Sequence, residues 1–174
     1  ICNQVHQRGK VKDNNSLSDH LPEEHELKMS ISVGISNAEF MDEKYTFIDC
    51  PGSNEFINEF LQAARISDLC IIVLEPSKEK LLSLVPYFYY LNQMNIPHIL
   101  FLNKVDKFNF DIKDLLGSFQ EYSPRPLVIR QIPIRKGENI VGSSDVIHER
   151  AYMYEKNKAS NIVKVPEELS TIHN

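Results

Sequence analysis

Two short runs of unbroken apolar residues, 69–74 (Leu-Cys-Ile-Ile-Val-Leu) and 99–102 (Ile-Leu-Phe-Leu), constrain this chain more than any other feature. Each has the length of a strand and no polar residue to turn toward water, the pattern of a strand covered on both faces. Between them, residues 81–94 are apolar and of helix length, with Pro86 expected to kink that helix or lie near its start. Upstream, Phe56, Ile57, Phe60, Leu61 and Ala64 recur at three and four residues and predict a further helix over 54–66. Strands alternating with helices, joined by right-handed crossovers, give the expected fold class: α/β, a doubly wound, mostly parallel sheet. Neither run approaches the roughly 20 residues that span a bilayer, so no membrane partner is expected.

The flanks carry weaker patterns. Residues 9–25 are polar and read as a loop punctuated by Gly9-Lys10, Asn14-Asn15 and Pro22. Ile31, Val33 and Ile35 then alternate with Ser30, Ser32, Gly34 and Ser36, predicting a strand with one buried face. A turn at 42–44 and a second strand over 45–48 complete a hairpin. Beyond Lys107 a helix is expected over 110–122, and a strand over 127–134 that Pro124, Pro126 and Pro133 confine to a sheet edge, with 140–147 as its partner. The tail, 149–174, is polar and mixed.

Composition excludes some functions. The 19 Lys and Arg against 24 Asp and Glu leave a formal charge of -5, which disfavours bulk attraction to DNA. Cys2, Cys50 and Cys70 are odd in number and form no metal or redox spacing, so a reducing, cytoplasmic setting is expected. The six histidines show no paired ligand spacing. The chain opens on Ile with no secretory pattern after it, and we read it as a fragment or a processed product.

In an open α/β sheet, ligands sit at the carboxyl ends of the strands. Two motifs occupy such ends. Asp49-Cys50-Pro51-Gly52 follows the second strand. A carboxylate there can hold Mg²⁺ through water, and the Gly52 N–H can approach a phosphate because no side chain obstructs it. The same four residues equally suit a strand-ending turn. Cys50 could be a redox handle, or simply a small side chain. Asn103-Lys104-Val105-Asp106 follows the last apolar run, and its chemistry is sharper. The Asp106 carboxylate can accept both the ring N–H and the exocyclic amino hydrogens of guanine, a contact that adenine cannot offer. Asn103 can reach a ring nitrogen, and the Lys104 stem can pack over the base. Gly9-Lys10 is no phosphate loop, since Gln4 and Val11 break the pattern.

Together these motifs resemble the GTP-binding domain of the translational GTPases, most closely elongation factor G and its elongation factor G-like paralogues. Residues 47–52 are similar to that family's switch II motif, 103–106 to its guanine-specificity motif, and 11–31 to its switch I region. The resemblance implies a P-loop GTPase fold with a small α+β insert: residues 1–124 as a partial GTP-binding domain whose phosphate loop lies upstream, and 125–174 as part of the insert. That last segment includes Gln131-Ile132-Pro133-Ile134 and residues 165–169. It implies GTP and Mg²⁺ as cofactors, GTP/GDP and the ribosome as partners, and GTP hydrolysis as the activity. Ser30 and Asp49 would serve the metal; Asp49, Gly52, Asn103, Lys104 and Asp106 would bind nucleotide. Gly52 and Ser53 would stand at the catalytic position, where the family places a histidine at the site of Ser53. Two other readings stay open: a nucleotide-sensing or ribosome-docking module without turnover, and a degenerate fragment that binds nothing.

Overall fold

The computed structural model describes residues 21–108, 111–155 and 158–165. The expected loop over 9–20 and residues 166–169 of the insert-like segment lie outside them. The chain divides into two compact units: the described residues up to Cys70 together with Met94–Pro97, and Ile71–Gln93 together with those from His98 onward.

Among the described residues the first unit opens on α1 (Pro22–Leu27), which corrects the end of the expected polar loop. Pro22 sits in the first turn, where its missing N–H costs nothing. Glu24 reaches back to accept the Leu21 N–H at 2.9 Å. Lys28, left-handed at φ 52, closes the helix by donating its N–H to the Glu24 carbonyl. Glu24 is only 1% exposed, and its carboxylate also accepts the Ile31 N–H at 3.0 Å, the Ser32 N–H at 3.1 Å and the Ser32 hydroxyl at 3.0 Å. Those backbone donors are therefore committed to a side chain, which is why β1 starts only at Gly34 (Gly34–Phe40). The expected buried face of Ile31, Val33 and Ile35 is corrected accordingly: Gly34 and Ala38 are the buried residues of the strand, and Ile35 is 65% exposed.

Strand β1 pairs antiparallel with β2 (Glu43–Asp49), from Gly34 opposite Asp49 to Phe40 opposite Glu43. Met41 and Asp42 join them, both at positive φ, the geometry of a two-residue hairpin turn that matches strand twist. A 3₁₀ turn at Asn54–Phe56 leads into α2 (Ile57–Arg65), which buries Ala63 and Ala64.

Strand β3 (Cys70–Leu74), α3 (Lys78–Gln93) and β4 (His98–Leu102) follow. The Cys70 N–H donates to the Pro97 carbonyl at 2.9 Å and the Asn103 N–H to the Leu74 carbonyl at 2.8 Å, start to start and end to end, the order of a parallel pair. Helix α3 carries Pro86 internally and buries Leu81, Tyr87, Phe88 and Leu91. The expectation that both strands are covered on both faces is corrected. Burial alternates in β3, and among the described residues Ile71, Val73, Ile99 and Phe101 are half exposed.

The described strands form three small sheets, β1-β2, β3-β4 and a four-stranded β5-β6-β7-β8. Here β5 is Gln131–Lys136, β6 Asn139–Asp145, β7 Arg150–Met153 and β8 Asn161–Lys164, all antiparallel to their neighbours. The α/β character stands, but among the described residues β3 and β4 pair only with each other. Pro133 lies on the edge strand β5, as its missing N–H requires. Before this sheet, α4 (Ile112–Gln120) is capped by Asp111, which accepts the Lys113 N–H at 2.7 Å. At the end of β6, Asp145 accepts the Ile147 and His148 N–H groups at 3.0 Å and pairs with the His148 ring and Arg130. His148 foremost holds the Asp145 carboxyl down at about 2. Among the described residues no helix is long and apolar enough to cross a membrane.

Candidate functional site

The loop after β4 is built from both directions. Asn103 is anchored through its N–H to Leu74, and its own Oδ1 accepts the Lys104 N–H at 2.9 Å. That short turn holds Lys104 in the left-handed region, at φ 55 and ψ 33, a conformation that a non-glycine residue keeps only when its surroundings fix it. A 3₁₀ turn, Val105–Lys107, follows, closed by the Lys107 N–H donating to the Lys104 carbonyl at 2.9 Å. The result presents Asp106 to solvent. Among the described residues its carboxylate makes no side-chain hydrogen bond.

Two residues that sequence reasoning missed hold this loop. Glu75, just past β3, forms an ion pair with the Lys104 Nζ, which draws the Glu75 carboxyl below its usual range. Topology could have found it, since parallel neighbours bring their carboxyl ends together. Arg135, on β5, donates from a single nitrogen, Nη2, to the Val105 carbonyl at 2.8 Å and the Phe108 carbonyl at 2.7 Å. Nothing in the local sequence announces that contact, which spans 30 residues to Val105.

Asp49 ends β2 in the other unit, exposed and opposite Gly34. Among the described residues neither Asp49 nor Ser53 carries a side-chain hydrogen bond, and Ser53 heads the 3₁₀ turn without capping it through its hydroxyl. Gly52 is exposed, its φ lies outside the left-handed region, and a Cβ there would meet nothing within 4 Å. Neither strain nor packing requires glycine at this position. Cys50 is half-buried; burial first, then the Asp49 charge, pushes its thiol up to about 11. Such a thiol is a poor nucleophile at neutral pH, which weighs against the redox reading. Ser30 is half-buried, between Lys28 and the Ile31-Ser32 backbone that Glu24 holds. Ser30 and Asp49 offer a hydroxyl and a carboxylate, hard oxygen donors of the kind Mg²⁺ takes when phosphates and water complete its shell. The donor set therefore fits that ion. Asp49, Gly52, Ser53 and Ser30 fall in the first unit, Asn103, Lys104 and Asp106 in the second.

The family model of the elongation factor Tu GTP-binding domain matches residues 1–165. The chain belongs to this family. A protein named elongation factor G-like, from Synechocystis sp. (strain ATCC 27184 / PCC 6803 / Kazusa), is 35% identical over 170 residues, covering 98% of this domain and 25% of that protein. Elongation factor G of Gluconobacter oxydans (strain 621H) is 28% identical over 156 residues, 86% of the chain and 21% of the relative. A crystal structure from Thermus thermophilus superposes with a TM-score of 0.81 at 21% identity, over 96% of this chain and 25% of that one. The last likeness speaks to fold alone. This GTP-binding domain thus spans about a quarter of the length of the curated relatives it matches.

Proposed function

We propose that the chain is the guanine-recognition and switch portion of a translation factor of the elongation factor G type, which binds GTP and hydrolyses it in the course of acting on the ribosome in the cytoplasm. One observation carries the reading: among the described residues the Asp106 carboxylate makes no side-chain hydrogen bond, on a loop whose backbone Arg135 holds at Val105 and Phe108 and whose Lys104 side chain pairs with Glu75. A carboxylate so placed accepts the two donors on one edge of guanine without first paying to order its own loop. Asn103 reaches a ring nitrogen, while the Lys104 stem lies against the base.

In the switch loop, Gly52 presents its N–H to the γ-phosphate, and the open space at its α-carbon supports that role. Ser30 and Asp49 would hold Mg²⁺, which offsets charge on the phosphate oxygens when bound. Ser53 occupies the position that orients water. A binding module without turnover is the second reading, and Ser53 is what favours it, since a short hydroxyl lacks the reach of an imidazole. In the same proposal, residues 1–124 form part of a doubly wound, mostly parallel sheet of the P-loop GTPase type and 125–174 part of an insert subdomain.

The test is Asp106→Asn in the full-length protein, with GTP and XTP competing. Xanthine carries an oxygen in place of the guanine amino group, so the amide should weaken GTP and strengthen XTP. One unpaired buried donor costs about 1–3 kcal/mol, which predicts at least a roughly tenfold swing in the GTP-to-XTP affinity ratio. An unchanged ratio removes Asp106 from the base pocket.

A further inference from the structure

We infer that Arg135 is a positioning residue for guanine selection: from the edge of the C-terminal sheet it clamps the two carbonyls that flank Asp106 and so sets where that carboxylate sits. The inference rests on the proposed role of Asp106 as the base acceptor. Three observations meet at this residue. The first is the pair of bonds, in which both Nη2 hydrogens are committed, one to Val105 and one to Phe108, at 2.8 and 2.7 Å. A 3₁₀ turn of three residues leaves its outer carbonyls without partners inside the turn, and a charged donor shared between them fixes its ends.

The second is the strand register. Ile134 faces Gly142, but Arg135 faces Ile140, so Val141 is left unopposed in a β-bulge between Ile134 and Arg135. A bulge bends its strands and re-aims the side chains beside it. On its other side the Val141 carbonyl accepts the Tyr154 N–H at 2.8 Å, continuing the β6–β7 register. The third is Gly142. A Cβ there would lie 2.5 Å from the Tyr152 backbone carbonyl, so the bulge sits where β6 and β7 pack too closely for any side chain. The irregularity is therefore built into the sheet directly beside the residue that bonds the base loop.

The consequence is a division of labour. Asp106 supplies the acceptors, while Arg135 makes no contact with the base and acts only through the loop backbone. Loss of Arg135 should then degrade base discrimination more than overall nucleotide affinity, because phosphate contacts do not depend on it. ITP is the appropriate probe: hypoxanthine keeps the ring N–H and lacks the amino group, so the GTP-to-ITP ratio reads the second hydrogen bond to Asp106.

The experiment measures GTP, ITP and XTP dissociation constants for the full-length parent, Arg135→Ala, Arg135→Lys and Asp106→Asn. Arg135→Ala should lower the GTP-to-ITP preference about fivefold, the scale of one hydrogen bond. Arg135→Lys, whose ammonium still reaches one carbonyl, should restore more than half of it. A fall in GTP and ITP affinity by the same factor, with the ratio unchanged, is what a purely structural arginine would give and overturns the inference. Should Arg135→Ala not fold, Arg135→Gln replaces it, being too short for both carbonyls; equal ratios in the Gln variant, the Lys variant and the parent overturn the inference equally. Asp106→Asn separates the two failures. If it switches preference to XTP while Arg135 variants keep the parent ratio, only the clamp is wrong. If it does not switch, the base reading fails and takes the clamp with it.

Discussion

The two motif loops follow strands in the same way, yet they are held in opposite ways. The Asn103–Asp106 loop is tied at Asn103, at Lys104 through Glu75, and at Val105 and Phe108 through Arg135. The Asp49–Ser53 loop has, among the described residues, a backbone bond from Phe56 to Ser53 and a long 4.0 Å contact from Cys50 to the Ile48 carbonyl. A loop that discriminates between bases gains from being ordered before the ligand arrives, since ordering then costs no binding energy. A loop whose output is to change state with the γ-phosphate gains from being lightly held. The contrast in fixation follows the contrast in proposed task.

The largest expected effect lies in the lightly held loop. Ser53→His should raise the single-turnover rate of GTP hydrolysis on ribosomes by about a hundredfold, the lower end of what a positioned acid–base group contributes. GTP affinity should barely move. The substitution is structurally permissive because Ser53 is half-buried and its hydroxyl caps nothing. Rapid-quench measurement with excess protein reads the chemical step directly. No increase would mean that another group orients the water, and the assignment of residues 47–52 to a switch loop would weaken with it.

What could be read from the sequence was local. The runs at 69–74 and 99–102 announced β3 and β4, the spacing of Phe56, Phe60 and Ala64 announced α2, and both motifs stood out because a turn needs its special residues in consecutive positions. What could not be read was set by distant partners. Apolar runs imply cover on both faces, but alternation in burial depends on which strands pair, and among the described residues β3 and β4 pair only with each other. Glu24 sits in a polar stretch and looks like a solvated charge; it is buried because four donors converge on it. Strands β7 and β8 escaped notice because each is only four residues long within a polar, mixed tail, and β8 is exposed throughout. The clamp joins Arg135 to a loop 30 residues away.

A smaller effect would separate the two regions from within the sheet. Gly142→Ala pushes a methyl group to 2.5 Å from the Tyr152 carbonyl, and backbone cannot yield as a flexible side chain would. Overpacking of this sort costs about 2 kcal/mol, roughly a thirtyfold loss in folding equilibrium by denaturant titration. Since Gly142 lies opposite Ile134 beside the bulge, the GTP-to-ITP preference should fall with it. The single-turnover rate at saturating GTP should not. A loss of rate without a loss of selectivity would reverse the comparison drawn between the two loops.

The smallest effect concerns the other tether of the base loop. Glu75 and Lys104 are ion-paired, but their side chains are 31% and 48% exposed, and such pairs contribute little because water screens them and two long side chains must be held still. Glu75→Gln keeps the size and an oxygen acceptor for Lys104 while removing the charge. The expected loss in GTP affinity is about twofold at low salt, and it should vanish near 1 M salt, where the Debye length is about 3 Å. The pH dependence has a definite sign. Lys104 lowers the Glu75 carboxyl below its usual range, so the pair contributes fully above the ordinary carboxylate range and is lost as pH falls through the lowered value. Titrations of parent and Glu75→Gln at two salt concentrations measure it. A salt-insensitive loss of fivefold or more would make Glu75, and not Arg135, the principal anchor of the loop, because only a desolvated contact escapes screening. A twofold, salt-sensitive loss leaves the half-buried ends of the 3₁₀ turn, at Val105 and Phe108, as the place where the loop is fixed.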